Sequence, residues 1–243
     1  MPYITYKSIN MSKLYSPAQT TFQVPTGTEG DAATIPIHIA APDIKAENLP
    51  LSTWTASVVL AAQLHKFHVS LPSHQPTSTS SPIDDGNDNT GSPPIPVLEL
   101  GAGTGLVGLS AACIWKTRVV LTDLPPIVEG LVGNVKLNME GTGGFGGEVR
   151  CGSLDWSRPG EMVLAADAAT GNGDDEVGKI FVFVSSARKA RIILAADTIY
   201  DSEHPALLTG AILEWLERSK EARACICYPL RVAYLDEIRE LWG

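Results

Sequence analysis

Residues Ile95–Trp115 read IPVLELGAGTGLVGLSAACIW: an apolar run, three glycines at alternate positions, and a second apolar run. An uninterrupted apolar run bounded by glycine suits a strand buried on both faces, and the small and aliphatic residues after Gly105 suit a helix. Strand, turn and helix in that order aim backbone amides and a helix N-terminus at whatever lies beyond the strand's carboxyl end. The spacing narrows the ligand. A dinucleotide fingerprint GxGxxG beginning at Gly101 requires glycine at 106, where this chain has Leu106, so NAD is disfavoured. A P-loop ends in GK[ST], whereas Gly105 is followed by Leu106 and Val107.

Working outward, RVVLTDLPPIVEGLVGNVKLN (118–138) repeats the strand-then-helix order, and two βα units in succession imply a parallel sheet. A third strand is expected over 148–153 and a fourth over 191–196, followed by a helix over 206–218. A fifth strand over 222–228 and a helix over 232–242 complete the alternation. The fold class is therefore α/β, doubly wound and mainly parallel, of Rossmann-like form. Upstream, 21–25 and 34–40 flank the turn-rich TGTEGDAA and form a hairpin within an N-terminal extension, 1–50. LPLSTWTASVVLAAQLHKF is read as a helix capped by Ser52 or Thr53, with an apolar face of Val58, Val59, Ala62 and Leu64.

Two insertions interrupt this pattern. Residues 71–96 are rich in Ser, Thr, Pro, Asn, Asp and Gly and lack the apolar surface that would offset their ordering, so they are expected to be mobile. Residues 159–189 have a loop-like centre, GNGDDEVGK, and an IFVFVSS segment able to add a short strand. The 243 residues are read as one domain, 1–243.

Composition removes several classes. An apolar fraction of 44% with 19% charged residues excludes general disorder, and 22 Gly with 17 Pro argue against a helical bundle. The net charge of −9, with no stripe of Lys and Arg, disfavours nucleic acid and suits a basic partner such as a lysine-rich protein segment. The cysteines at 113, 151, 225 and 227 contain no CxxC pair, which suits a reducing compartment. With no apolar leader at the N-terminus and no run approaching a membrane span, the chain reads as cytosolic; a nuclear location is also compatible.

ExGxGxG after a buried strand, Glu99 to Gly105, resembles the first motif of the seven-strand methyltransferases that use S-adenosylmethionine. The order Trp54, LELGAGTGLVGL, TDLP with Asn134 and Asn138, LDW and AADTIYD is similar, over 51–242 outside the insertions, to the nicotinamide N-methyltransferase-like, or methyltransferase-16, group. Within it the chain most resembles fungal lysine methyltransferases acting on translation elongation factor 1A. That resemblance implies cofactor binding by Trp54, Glu99, Gly101, Ala102, Gly103, Asp123, Trp156 and Ala196. It also implies a methyl-transfer site at Asp197 and Tyr200, the ends of a DxxY element after the fourth strand.

Physical reasons stand beside several of these assignments. Asp123, at the end of the second strand, is placed to accept from ribose hydroxyls, or else to cap the turn before Pro125 and Pro126. Trp156 can cover an adenine face or fill core, and Asp155 can accept from the adenine amino group. Trp54 can serve the cofactor or staple a helix start. Methyl transfer from a sulfonium is an in-line displacement, so the protein mainly orients a neutral amine and excludes water. Asp197 can orient and deprotonate that amine while the face of Tyr200 favours a cation; a turn acid and a packed Tyr are the plainer account.

Three readings follow. The first is a protein-lysine methyltransferase; the others are a cofactor-binding interaction or chaperone module and a small-molecule N-methyltransferase. No metal is expected, since His65, His68 and His74 lack an acidic ligand. His204 in SEHP borders the substrate entrance or simply begins a helix. Cys225 and Cys227 are read as core. The resembling group usually continues into a C-terminal strand hairpin, whereas this sequence stops at Gly243, as expected either of a shortened sequence or of a sheet edge completed by another element. The sheet edge is then open to completion by the N-terminal hairpin or the IFVFV segment.

Overall fold

The computed structural model describes residues 19–27, 33–41, 45–46, 49–71, 95–142, 146–165, 181–184, 188–230, 235–236 and 239. The bulk of the 71–96 insertion, the centre of the 159–189 insertion and nearly all of the helix expected over 232–242 lie outside the described residues.

The run IPVLEL becomes a strand, β5 (Ile95–Leu100), in which every residue is buried. It follows β1 (Gln19–Pro25), β2 (Thr34–Ala40), the two-residue β3 (Lys45–Ala46) and β4 (Leu49–Pro50), helix α1 (Thr55–Gln63) and a 3₁₀ turn. After it come α2 (Leu106–Trp115), β6 (Val119–Asp123), α3 (Pro125–Thr142), β7 (Val149–Ser153), β8 (Glu161–Leu164), β9 (Phe181–Val184), β10 (Ala190–Ala196), α4 (His204–Trp215) and β11 (Arg223–Cys227).

Seven strands form one sheet in the order β11-β10-β5-β6-β7-β8-β9. Pairing is parallel from β11 to β7 and antiparallel at β8 and β9. From β5 the chain winds outward through β6 and β7, then returns to lay β10 on the other side of β5. That reversal is the switch point where open α/β sheets form their ligand crevice, flanked here by the ends of β5 and β10.

Alternation along the central strands supplies two cores. Val97, Leu121, Ile192 and Leu194 face α1, α2 and the hairpin, whereas Leu98, Leu100, Val120, Ile193 and Ala195 face α4 with Leu208 and Trp215. Trp215 is fully buried, and its Nε1–H donates to the Pro159 carbonyl at 2.6 Å.

β1 and β2 pair as the expected hairpin, Gln19 opposite Ala40 and Pro25 opposite Thr34. The free edge of β2 is satisfied by two side chains of α3. Asn134 Oδ1 accepts the Ala40 N–H at 2.9 Å and its Nδ2 donates to the Ala40 carbonyl at 3.0 Å, while Asn138 does the same for His38 at 2.8 and 2.7 Å. Four helical residues rise about 6 Å and two strand residues about 6.6 Å, so amides one turn apart match alternate residues of the strand. Asn134 Nδ2 also reaches the Thr104 carbonyl at 2.9 Å, tying the hairpin to the glycine turn.

Three expectations are corrected. Helix α1 is N-capped by Trp54 with no side-chain cap, and it buries Ala56, Leu60 and Ala61, leaving Val58 and Val59 exposed. The 159–189 insertion supplies the two outer strands on one side of the sheet, since EMVL also pairs as β8, between β7 and the edge strand β9. Neither the hairpin nor β9 covers β11: the hairpin forms its own sheet, and β9 lies at the opposite edge.

Candidate active site

The turn after β5 has positive φ at Gly101 (62°), Gly103 (56°) and Gly105 (84°), a backbone that L side chains adopt only with strain. At Gly101 space also forbids a side chain, because a Cβ there would lie 2.9 Å from Thr198 Cγ2 and 3.2 Å from Trp156 Cζ2. The turn is held from β6: Ala102 donates its N–H to the Thr122 carbonyl at 2.9 Å, and Gly103 donates to Asp123 Oδ2 at 2.7 Å. Asp123 Oδ1 accepts the Leu124 N–H at 2.7 Å. Asp123 thus caps the turn after β6, braces the glycine turn and lines the crevice.

A cleft of about 830 Å³ opens over this turn. Gly101, Ala102, Gly103 and Asp123 form its floor, Asp155 and Trp156 one wall, and Trp54 lies at its mouth. Ala196, Asp197 and Tyr200 close the end beyond β10. Glu99 alone among the expected site residues is not part of the lining. It is buried under the turn, where Oε2 accepts the Gly108 N–H at 2.9 Å. Burial pushes its carboxyl up to about 8, with the Gly108 bond opposing and the Asp123 charge adding to the rise. A Cβ on Gly108 would come 2.5 Å from Glu99 Oε2, so the acid fits only because α2 presents a glycine.

Asp197 follows β10 at φ 58°, one of two non-glycine residues with positive φ among those described. Its N–H donates to the Cys227 carbonyl at 2.8 Å, so β11 pins the turn. Asp tolerates this conformation better than most residues, and strain of this kind concentrates at functional sites. Asp155, on the far wall, accepts from Ser157 Oγ at 2.7 Å and from its N–H at 2.9 Å, which holds its carboxyl below the ordinary range.

Sequence reasoning missed Thr198 and Thr104. Thr198 is buried against Gly101, and its Oγ1 has no hydrogen-bond partner among the described residues. The signal lay inside the Asp197–Tyr200 element, where only the ends were read. Thr104 Oγ1 shares a 2.8 Å hydrogen bond with Thr53 Oγ1, so Thr53, read as a helix cap, instead anchors the segment forming the cleft's mouth. Asp201, Glu203 and His204 also line the cleft. No lysine or arginine among the described residues does, so the lining favours cationic ligands over phosphates. Among the described residues no group of three or more His, Cys, Asp or Glu could hold a metal ion.

The profile of the lysine methyltransferase family matches residues 39–169, from the end of the hairpin through the glycine turn, Asp123 and Trp156. The chain belongs to the lysine methyltransferase family. It is 33% identical over 213 residues to the protein-lysine N-methyltransferase EFM2 of Saccharomyces cerevisiae, an overlap covering 85% of this chain and 42% of that protein. Identity to the protein-lysine N-methyltransferase rrg1 of Schizosaccharomyces pombe is 31% over 204 residues, 84% of this chain and 54% of that protein. A mouse relative, EEF1A lysine methyltransferase 3, is 41% identical over 78 residues, 29% of this chain and 32% of its own length. The chain thus spans about half the length of the two fungal lysine methyltransferases it matches most broadly. Within the family profile fall Trp54, the glycine turn, Asp123, Asp155 and Trp156; Ala196, Asp197 and Tyr200 lie beyond its end.

Proposed function

We propose that this chain is an S-adenosylmethionine-dependent protein-lysine N-methyltransferase. The observation that carries the proposal is the convergence, on one cleft at the switch point, of the glycine turn after β5 and the Asp197–Tyr200 element after β10. The residues fit the cofactor: Gly101 lets Trp156 and Thr198 close onto the turn that lines the cleft, and among the described residues that lining carries carboxylates and no lysine or arginine to hold phosphate. Bound S-adenosylmethionine would supply a methyl group already activated on a sulfonium.

Asp123 would accept from the ribose hydroxyls, since it lines the cleft at the end of β6 beside the glycine turn. Trp156 would cover the adenine, Asp155 would accept from its amino group, and Ala102, Ala196 and Trp54 would line the rest of the pocket. At the other end Asp197 would orient the lysine amine and take its proton, while the Tyr200 ring would favour the cationic side chain.

The acceptor is a protein lysine, on the strength of the fungal relatives' names, and translation elongation factor 1A is the first candidate, on that of the mouse relative. The four cysteines form no disulfide among the described residues, in keeping with the proposed cytosolic site of action. No helix among the described residues is long and apolar enough to cross a membrane. Incubation with isotopically labelled cofactor and cell extract, followed by mass-spectrometric location of the label, tests the proposal. Label on a lysine of elongation factor 1A is expected; label on small molecules alone would replace the protein acceptor with a metabolite.

A further inference from the structure

Three rings join the two ends of the cleft. Trp156 packs over Gly101, Tyr200 ends the turn that Asp197 begins, and His204 stands between them. The His204 ring centroid is 4.3 Å from that of Tyr200 and 6.1 Å from that of Trp156, edge-on to both at 88° and 78°. Although His204 is the first residue of α4, it is only 7% exposed. Its Nδ1 accepts the Tyr200 N–H at 3.3 Å.

The 197–200 turn is thereby pinned at both ends. Asp197, in its positive-φ conformation, donates to β11, and Tyr200 donates to α4. We infer that His204 is a positioning residue for methyl transfer: it holds the Tyr200 peptide and ring at the acceptor end and couples them to Trp156. This rests on the reading of Tyr200 as an acceptor-end residue. His204 holds the acceptor end through its bond to Tyr200, so its loss should lower turnover by a larger factor than cofactor affinity. A misplacement of about 1 Å at a reacting group can cost on the order of 100-fold in rate.

The test compares His204→Asn, whose Oδ1 falls near the place of Nδ1, with His204→Leu, which has similar bulk and no acceptor, in the full chain. Amide hydrogen exchange at Tyr200 should quicken about 5- to 10-fold in His204→Leu, the equivalent of one hydrogen bond, and stay near the parent's rate in His204→Asn. With labelled S-adenosylmethionine and cell extract, incorporation should fall on the order of 10- to 100-fold in His204→Leu and largely recover in His204→Asn. Calorimetric affinity for S-adenosylmethionine should fall by a smaller factor than incorporation in His204→Leu, because the hydrogen bond lies at the acceptor end and only the ring contact reaches Trp156. Where His204→Leu does not fold, His204→Gln, which carries its acceptor one bond further out, takes its place. Unchanged exchange at Tyr200 without the acceptor, parental incorporation without it, or equal losses in the Asn and Leu variants would each overturn the inference. The exchange measurement needs no substrate, so it decides the role of His204 even if the parent transfers no methyl group, a result that would count against the proposed function instead.

Discussion

The Gly103 N–H donates to Asp123 Oδ2 at 2.7 Å, binding the turn at the end of β5 to the end of β6. One carboxylate thus braces the glycine turn and itself lines the cleft. Asp123→Ala should weaken S-adenosylmethionine binding by about 1 to 3 kcal/mol, the scale of a lost charge-assisted bond. Asp123→Asn keeps one oxygen for Gly103 and should fall between. Calorimetry on folded variants checks both, and parental affinity in the alanine variant would leave Asp123 a purely structural acid.

Gly101→Ala tests the cradle. Its Cβ would meet Thr198 Cγ2 at 2.9 Å and would force a positive φ on alanine, so cofactor affinity should drop on the order of 10-fold or more. Removing the opposing methyl group in Gly101→Ala/Thr198→Ser should restore part of the loss, because the closest contact disappears while the backbone strain stays. Additive effects in this double-mutant cycle would mean that the two residues do not meet as described.

Glu99 predicts a pH dependence. Its folded carboxyl is raised from 4.5 to about 8, chiefly by burial, so between those values the native state holds a proton that the unfolded chain has released. The contribution is fully present below the lower value and is lost as pH rises through the higher one. Glu99→Gln keeps an oxygen for the Gly108 N–H and cannot ionise. Its melting temperature relative to the parent should therefore climb between about pH 5 and about pH 9, at about 3 °C per kcal/mol for a domain of this size. A constant difference across that range would show that Glu99 does not titrate there.

Much of this site was legible because its chemistry depends on residue types with narrow backbone or charge requirements. The glycines at 101, 103 and 105, Asp123 after its strand and the Asp197–Tyr200 spacing all announce themselves in sequence. The α1 face did not, because TASVVLAAQ is apolar almost all round, so periodicity could not choose Ala56, Leu60 and Ala61 over Val58 and Val59. Strand β8 has four residues, too short a run for alternation to outweigh its loop-like surroundings. Glu99 follows the motif yet lies beneath the turn, since strand alternation directs its side chain to α2, where Gly108 leaves the room. The place of His204 between two rings depends on how α4 docks against β10, which no local spacing encodes.

The central claim is that the cleft transfers a methyl group to lysine with Asp197 at the reacting end. Its most direct test is the rate of label transfer from S-adenosylmethionine to the lysine found in extract, measured for the parent and Asp197→Ala with cofactor affinity in parallel. Turnover should fall about 10- to 1,000-fold, the scale of a lost orienting or proton-accepting group, while affinity changes little. Equal turnover in the two proteins, or no transfer to any lysine by the parent, would contradict it.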